Sequence, residues 1–104
     1  SPAAALEQVA ALVREGATIG AACTIGNDLV IGRWAMIGMA SVVTKSVPDF
    51  HLVIGSPARS IGVVCKCGPL IHKFTGDYKE ESGDLACSHC GAKYRMRNGL
   101  VEEA

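Results

Sequence analysis

From Val13 to Pro48 the apolar residues of this chain return every six positions. Val13, Ile19, Ile25, Ile31, Ile37 and Val43 open the steps, and glycine follows four of them, at Gly20, Gly26, Gly32 and Gly38. The fifth place of each step is Ala17, Cys23, Leu29, Ala35, Ser41 or Val47, mostly small. A period of six matches neither the helical repeat nor simple strand alternation. It is a signature of a parallel β-helix built from hexapeptides, each giving a short strand and a corner. A helix with this pattern would put its isoleucines on no single face and carry four interior glycines, each costing about 1 kcal/mol. The expectation is that the first-place aliphatic residue points inward and stacks on its counterpart one turn away. The small fifth residue lets the corner close, and glycine is expected where the backbone bends tightly.

Three such steps make one triangular turn, so six make two, a column only about 10 Å tall at the usual strand spacing. Solenoids need three or more stacked repeats and covered ends to be stable. The chain is therefore expected to associate with copies of itself or to be part of a longer protein. Trp34, at an outward place in its step, is expected at an interface. After Val47 the pattern breaks. Pro48 and Pro57 punctuate a returning loop, in which Leu52, Val53 and Ile54 are placed to add one more strand. Residues 1–12 read equally as a helix or as a frayed leader. Ser1 would cap the helix, Pro2 would lie in its first turn, and Leu6, Val9, Ala10 and Val13 would share a face.

The last forty residues follow another rule. Cys65-Lys66-Cys67-Gly68 precedes Cys87-Ser88-His89-Cys90-Gly91 by about twenty residues. Two Cys-Gly knuckles at this separation suit a tetrahedral four-thiolate zinc site, with Cys65, Cys67, Cys87 and Cys90 as ligands. Iron is the alternative, since four thiolates accept both metals. A unit this small, with Leu70, Ile71, Phe74, Leu85, Tyr94 and Met96 for a core, needs such a staple. His72 and His89 read as surface residues, and Cys23 as an inward residue of the β-helix. The organisation is thus 1–12 helix or leader, 13–64 β-helix and closing loop, and 65–104 zinc-ribbon-like unit, a mainly β fold.

Composition narrows the function. The 104 residues carry 10 basic and 10 acidic side chains, so no net field draws in nucleic acid or an anionic membrane. From Cys65 onward six basic residues face six acidic ones, although Lys93, Arg95 and Arg97 alternate along one segment. Phosphate-backbone binding calls for a basic excess. The apolar runs are too short to cross a bilayer. An N-terminal signal is not expected, because Glu7 and Arg14 interrupt the alanine-rich start and no basic segment precedes it. Paired cysteines used for metal point to a reducing compartment, hence the cytoplasm.

Four segments together resemble the hexapeptide-repeat acyltransferases: Gly-Ala-Thr-Ile-Gly-Ala, Ile-Gly-Arg-Trp-Ala-Met-Ile-Gly, Ser-Val-Val-Thr-Lys-Ser-Val-Pro-Asp-Phe and Gly-Ser-Pro-Ala-Arg-Ser-Ile-Gly. The subgroup most similar is the nucleotide-sugar N-acetyltransferases, several of which end in the same Cys-x-Cys-Gly and Cys-x-x-Cys-Gly pair. The resemblance implies a left-handed coil, a homotrimer and acetyl-CoA as cosubstrate. It further implies that Gly38, Ala40, Ser41 and Lys45 line the cleft between subunits where CoA lies, with Met39 and Ala40 standing where the family usually has Ala and Gly. The loop at Gly55, Pro57, Ala58 and Arg59 closes over the CoA tail, with Ser56 in place of the common Asn. Lys45 and Arg59 would meet phosphates, and backbone N–H groups at small residues would approach the thioester.

Acetyl transfer to an amine or hydroxyl benefits from a general base. Residues 13–48 contain no histidine, and His51 is the one nearby candidate, weighed against a plain surface-loop histidine. Asn27 and Asp28 sit at one corner, where they can orient an acceptor or simply serve a turn. The expected function is an acetyl-CoA-dependent acetyltransferase acting on a sugar or nucleotide-sugar amine or hydroxyl. The alternative is a non-catalytic trimeric scaffold, or a truncated relative, that keeps the β-helix and zinc cap.

Overall fold

Strands eighteen residues apart lie side by side. The computed structural model describes residues 11–104. The first coil is β1 (Leu12–Val13), β2 (Thr18–Ile19) and β3 (Thr24–Ile25). The second is β4 (Val30–Ile31), β5 (Met36–Ile37) and β6 (Val42–Val43). Each pairs in parallel with its counterpart, Val13 with Ile31, Ile19 with Ile37 and Ile25 with Val43. A third coil then begins, but with sixteen residues rather than eighteen: Ile31 bridges Val47, and Ile37 pairs with Val53 of β7 (His51–Gly55). The strand expected around Leu52–Ile54 is therefore present. Of the helix or leader expected over 1–12, residues 1–10 lie outside the described residues, and Leu12 belongs to β1.

The first and fifth places both point inward. Ile31, Ala35, Ile37, Val43 and Val47 are buried together with Val53, and Ala17, Cys23, Ile25 and Leu29 pack against them. Burial fades toward the first coil, where Val13 is 46% and Ile19 is 39% exposed. Those inward residues have a neighbour coil on one side only among the described residues.

Glycine does a different job from the one expected. The corners turn at the fourth place of each step, where Gly16, Ala22, Asp28, Trp34 and Ala40 all have φ between 57° and 72°. Only one of these five is glycine, so ordinary residues carry the left-handed bend, at a cost of about 1 kcal/mol each. The second-place glycines are required by coil stacking. A Cβ on Gly20 would meet the backbone of Gly38 and Met39, and one on Gly32 would meet the backbone of Pro48 and Asp49. Stacked corners approach too closely there to admit a side chain.

The chain leaves the β-helix without a linker. β7 turns back into β8 (Ala58–Val64), which pairs antiparallel with both β7 and β9 (Leu70–Lys73). One five-stranded sheet thus runs β2-β5-β7-β8-β9, from the first coil into the cysteine-bearing unit. A short 3-10 helix, η1 (Tyr78–Glu80), follows. Then β10 (Gly83–Ala86), β11 (Lys93–Arg97) and β12 (Leu100–Glu103) form a meander. β11 alternates, with Tyr94 and Met96 buried and Lys93, Arg95 and Arg97 outward. Arg95 lies across from Asp84 and Glu102 in the sheet, so its charge is matched locally.

The two units share a core in which Phe50 and Val63 pack with Phe74, Tyr94, Met96 and Val101. Trp34 lies over Gly16 and packs on this cluster, so its interface is within the chain. His51 fastens the junction. It is fully buried, with Nδ1 2.9 Å from Ser60 Oγ and Nε2 2.6 Å from the Gly99 carbonyl. A carbonyl only accepts, so Nε2 carries the proton and Nδ1 accepts from the serine. Burial lowers the His51 pKa, opposed by the Gly99 carbonyl and by Asp49, and keeps the ring neutral.

Candidate functional site

Two constellations carry chemistry, and the first is the cysteine cluster. β8 runs into a knuckle in which the Gly68 N–H donates to the Cys65 carbonyl. The second knuckle, between β10 and β11, repeats this with Gly91 and Cys87. Gly68 and Gly91 have φ of 119° and 79°, a region that favours glycine. The turns bring the Sγ atoms of Cys65, Cys67, Cys87 and Cys90 within 4.8 Å of one another, with Cys65 and Cys90 3.4 Å apart and Cys67 and Cys87 3.6 Å apart. Metal–sulfur bonds of about 2.3 Å give a tetrahedron with edges of about 3.8 Å, so the set fits one four-coordinate ion.

The electrostatics fit as well. Burial pushes the Cys65 thiol up, but hydrogen bonds from the Cys67 backbone, the Tyr94 hydroxyl and the neighbouring thiols bring it down to about 6. Desolvation among the packed sulfurs, then hydrogen bonding to the other thiols and the charge on Cys65, push Cys67 up. The cluster therefore resists several negative charges at once unless a cation joins them. Tyr94 Oη lies 3.0 Å from Cys65 Sγ and also accepts from the Lys66 N–H at 3.1 Å, orienting a ligand from outside the cluster. His72 is bonded to Glu81 instead, and His89 is exposed on the second knuckle.

The second constellation is where the last coil ends. Ser41 is fully buried; its Oγ donates to the Gly38 carbonyl at 2.7 Å and accepts from the Gly55 N–H at 3.2 Å. One hydroxyl thus ties the corner at 38–41 to the loop at 55–58. Gly38 is again a close approach, since a Cβ there would meet the Ile54 side chain. Beyond this tie lies a cavity of about 200 Å³. Val43, Val47 and Val53, inward residues of the last coils, line it together with Lys45 and Arg59. Gly38, Ala40, Ser41 and Pro57 do not line it; they form the adjoining corner and loop. Lys45 and Arg59, fourteen residues apart in sequence, line the same cavity of the single chain.

His51 reaches no cavity. The histidine weighed as a base or a surface residue has no exposed area, and both ring nitrogens are engaged within the chain. It holds the two units together. Sequence reasoning also missed Tyr78 and Lys79, which line the Lys45–Arg59 cavity from the far unit. No pattern marks them, because η1 is a single turn in the stretch between the knuckles. Among the described residues, no helix is long and apolar enough to cross a membrane.

Comparison with known proteins agrees with the coil geometry. Over 70 residues, 67% of this chain, the sequence is 38% identical to the dTDP-3-amino-3,6-dideoxy-alpha-D-galactopyranose 3-N-acetyltransferase of Aneurinibacillus thermoaerophilus. The β-helix of this chain is that of the hexapeptide-repeat acyltransferases, a left-handed coil. Two serine acetyltransferase structures are similar in fold. One, from Brucella abortus in complex with coenzyme A, is 40% identical over 53% of this chain, with a TM-score of 0.52. Another, in complex with cysteine, is 37% identical over 55% of this chain, with a TM-score of 0.53. The chain spans 32% of the length of the curated relative and 22% of each of these solved chains. No family model matches the chain.

Proposed function

We propose that this chain forms the acetyl-CoA-binding end of an acetyltransferase whose acceptor is the amine of a sugar, in the class of the nucleotide-linked amino sugar named for its relative. The observation that carries this reading is the meeting of Lys45 and Arg59 at one apolar-floored cavity, beside a corner and loop locked together by Ser41. The two cations suit the phosphates of CoA. The corner at Gly38–Ser41 and the loop at Gly55–Arg59 suit the pantetheine arm and thioester, where small residues let backbone N–H groups come close. Among the described residues neither Lys45 nor Arg59 is in an ion pair, and the Arg59 guanidinium donates only to the Ala58 carbonyl at 3.0 Å, so neither charge is neutralised.

The chain works as a homotrimer in the cytoplasm on this reading. Met39 is 77% and Ile54 is 42% exposed beside the corner, apolar surface of the kind that a neighbouring copy covers. The four-thiolate cluster holds structural zinc, which needs reduced cysteines. The ion supplies cross-linking between the two knuckles; Tyr94 and the backbone at Lys66 hold Cys65 in place for it.

The test is acetyl transfer followed by release of the CoA thiol, with nucleotide-linked amino sugars as acceptors. The expected result is thiol release that depends on the amine and stops when its hydroxyl analogue is substituted. Binding of acetyl-CoA with no turnover on any amine or hydroxyl acceptor would favour the non-catalytic scaffold or truncated relative instead.

A further inference from the structure

The cavity that takes Lys45 and Arg59 from the β-helix has a third wall from the cysteine-bearing unit: Asp77, Tyr78 and Lys79 of the η1 turn line it. η1 is held firmly for so short an element. The Asp77 carboxylate accepts from the Lys79 N–H at 3.0 Å, and the Glu81 N–H donates to the Tyr78 carbonyl. The Glu81 carbonyl accepts from the Gly99 N–H at the β11–β12 turn, and its carboxylate bonds His72 and Thr75. The Tyr78 ring packs edge-on against His51 at 5.0 Å and beside Phe74 at 5.5 Å. Gly99 lies so close that a Cβ there would strike Tyr78. Nothing in these contacts uses the Lys79 ammonium, which is exposed and in no ion pair among the described residues.

The cavity thus gathers three cations, Lys45, Arg59 and Lys79, against one carboxylate, Asp77, which already caps the turn. Three cationic residues lining one cavity beside an aromatic wall and a valine floor match a phosphorylated nucleotide: cations for phosphate oxygens, the apolar and aromatic surfaces for the less polar part. We infer that the metal-binding unit is itself part of the cofactor site, with Lys79 a direct contact to a phosphate of the nucleotide half of CoA and Tyr78 the wall beside it. This rests on the reading of the cavity as the CoA site. It gives the cysteine-bearing unit a binding role in addition to covering the end of the coils, and it explains why η1 is fastened both to the β11–β12 turn and to His51.

The experiment is calorimetric titration of CoA, and separately of pantetheine, into the metal-loaded full chain. The variants are Lys79→Ala, Lys79→Arg and Lys93→Ala, the last removing an exposed charge outside the cavity. Lys79→Ala is expected to weaken CoA binding about tenfold, the worth of one charge-assisted hydrogen bond. Pantetheine binding is expected to stay unchanged, Lys79→Arg to restore most of the CoA affinity, and Lys93→Ala to match the parent. A parent that binds CoA while Lys79→Ala binds it equally well overturns the inference and leaves the proposed function standing. Equal weakening of CoA and pantetheine also overturns it, since Lys79 would then act through the fold. A folded, metal-loaded parent that binds no CoA overturns the underlying reading of the cavity.

Discussion

The two halves of this molecule solve the small-domain problem in opposite ways. The β-helix is stabilised by repetition: Ile31, Ile37 and Val43 are buried because the same places one coil away carry the same kind of side chain. The ribbon repeats little, and its core around Phe74, Tyr94, Met96 and Val101 is small. Its order depends on two knuckles whose sulfurs converge. In the first half each added coil strengthens the rest. In the second, on the proposed reading, one ion held by the four sulfurs would supply the cross-link that the small core does not. The difference teaches where each half is vulnerable, to backbone crowding in one and to loss of a ligand in the other.

The largest expected effect is therefore on the ribbon. Chelation, or Cys87→Ser, should abolish hydrogen-exchange protection in β10, β11 and β12 while β4, β5 and β6 keep theirs. Structural zinc sites contribute on the order of 10 kcal/mol, more than a unit this small can lose. Simultaneous loss of protection in both halves would show that the division is false.

Next comes crowding in the β-helix. Gly32→Ala sets a Cβ against the backbone of Pro48 and Asp49, which cannot rotate away. A loss of about 2–3 kcal/mol is expected in urea unfolding, in the range of overpacked cores. Ala22→Gly, at a corner with φ of 60°, should instead be neutral or stabilising by up to about 1 kcal/mol. If the two changes cost the same, bending rather than stacking explains the glycines.

A smaller effect falls on the bolt between the halves. His51→Leu leaves the Gly99 carbonyl without its donor in a buried place, costing about 1–3 kcal/mol by the same unfolding measurement. The parent protein has a pH signature at this residue. The folded-state pKa of His51 is lowered, so the unfolded chain binds the proton more readily. Stability is full above the ordinary histidine value near 6.5 and falls as pH drops from there toward the lowered folded value. His51→Leu should flatten that slope. An unchanged slope would place the titration elsewhere.

These contrasts explain what the sequence revealed. Hexads announce a β-helix because each step repeats the same burial, and the cysteine pairs announce a four-sulfur cluster because the knuckle spacing is local. Three features were not legible. The glycine role depends on backbone one coil above, as with Gly32 and Asp49. The burial of His51 depends on Gly99, forty-eight residues away. The placement of Lys79 beside Lys45 and Arg59 depends on how η1 is folded back, which no periodicity records. In each case the deciding partner is distant in sequence and carries no motif of its own.

The most direct measurement of the account is calorimetric titration of acetyl-CoA into the metal-loaded chain, repeated with Lys45→Ala and Arg59→Ala. The account predicts one acetyl-CoA per chain, with each substitution weakening binding about tenfold, as expected for a lost charged contact to phosphate. A well-folded protein that binds no acetyl-CoA, or binds it equally after both substitutions, would contradict it.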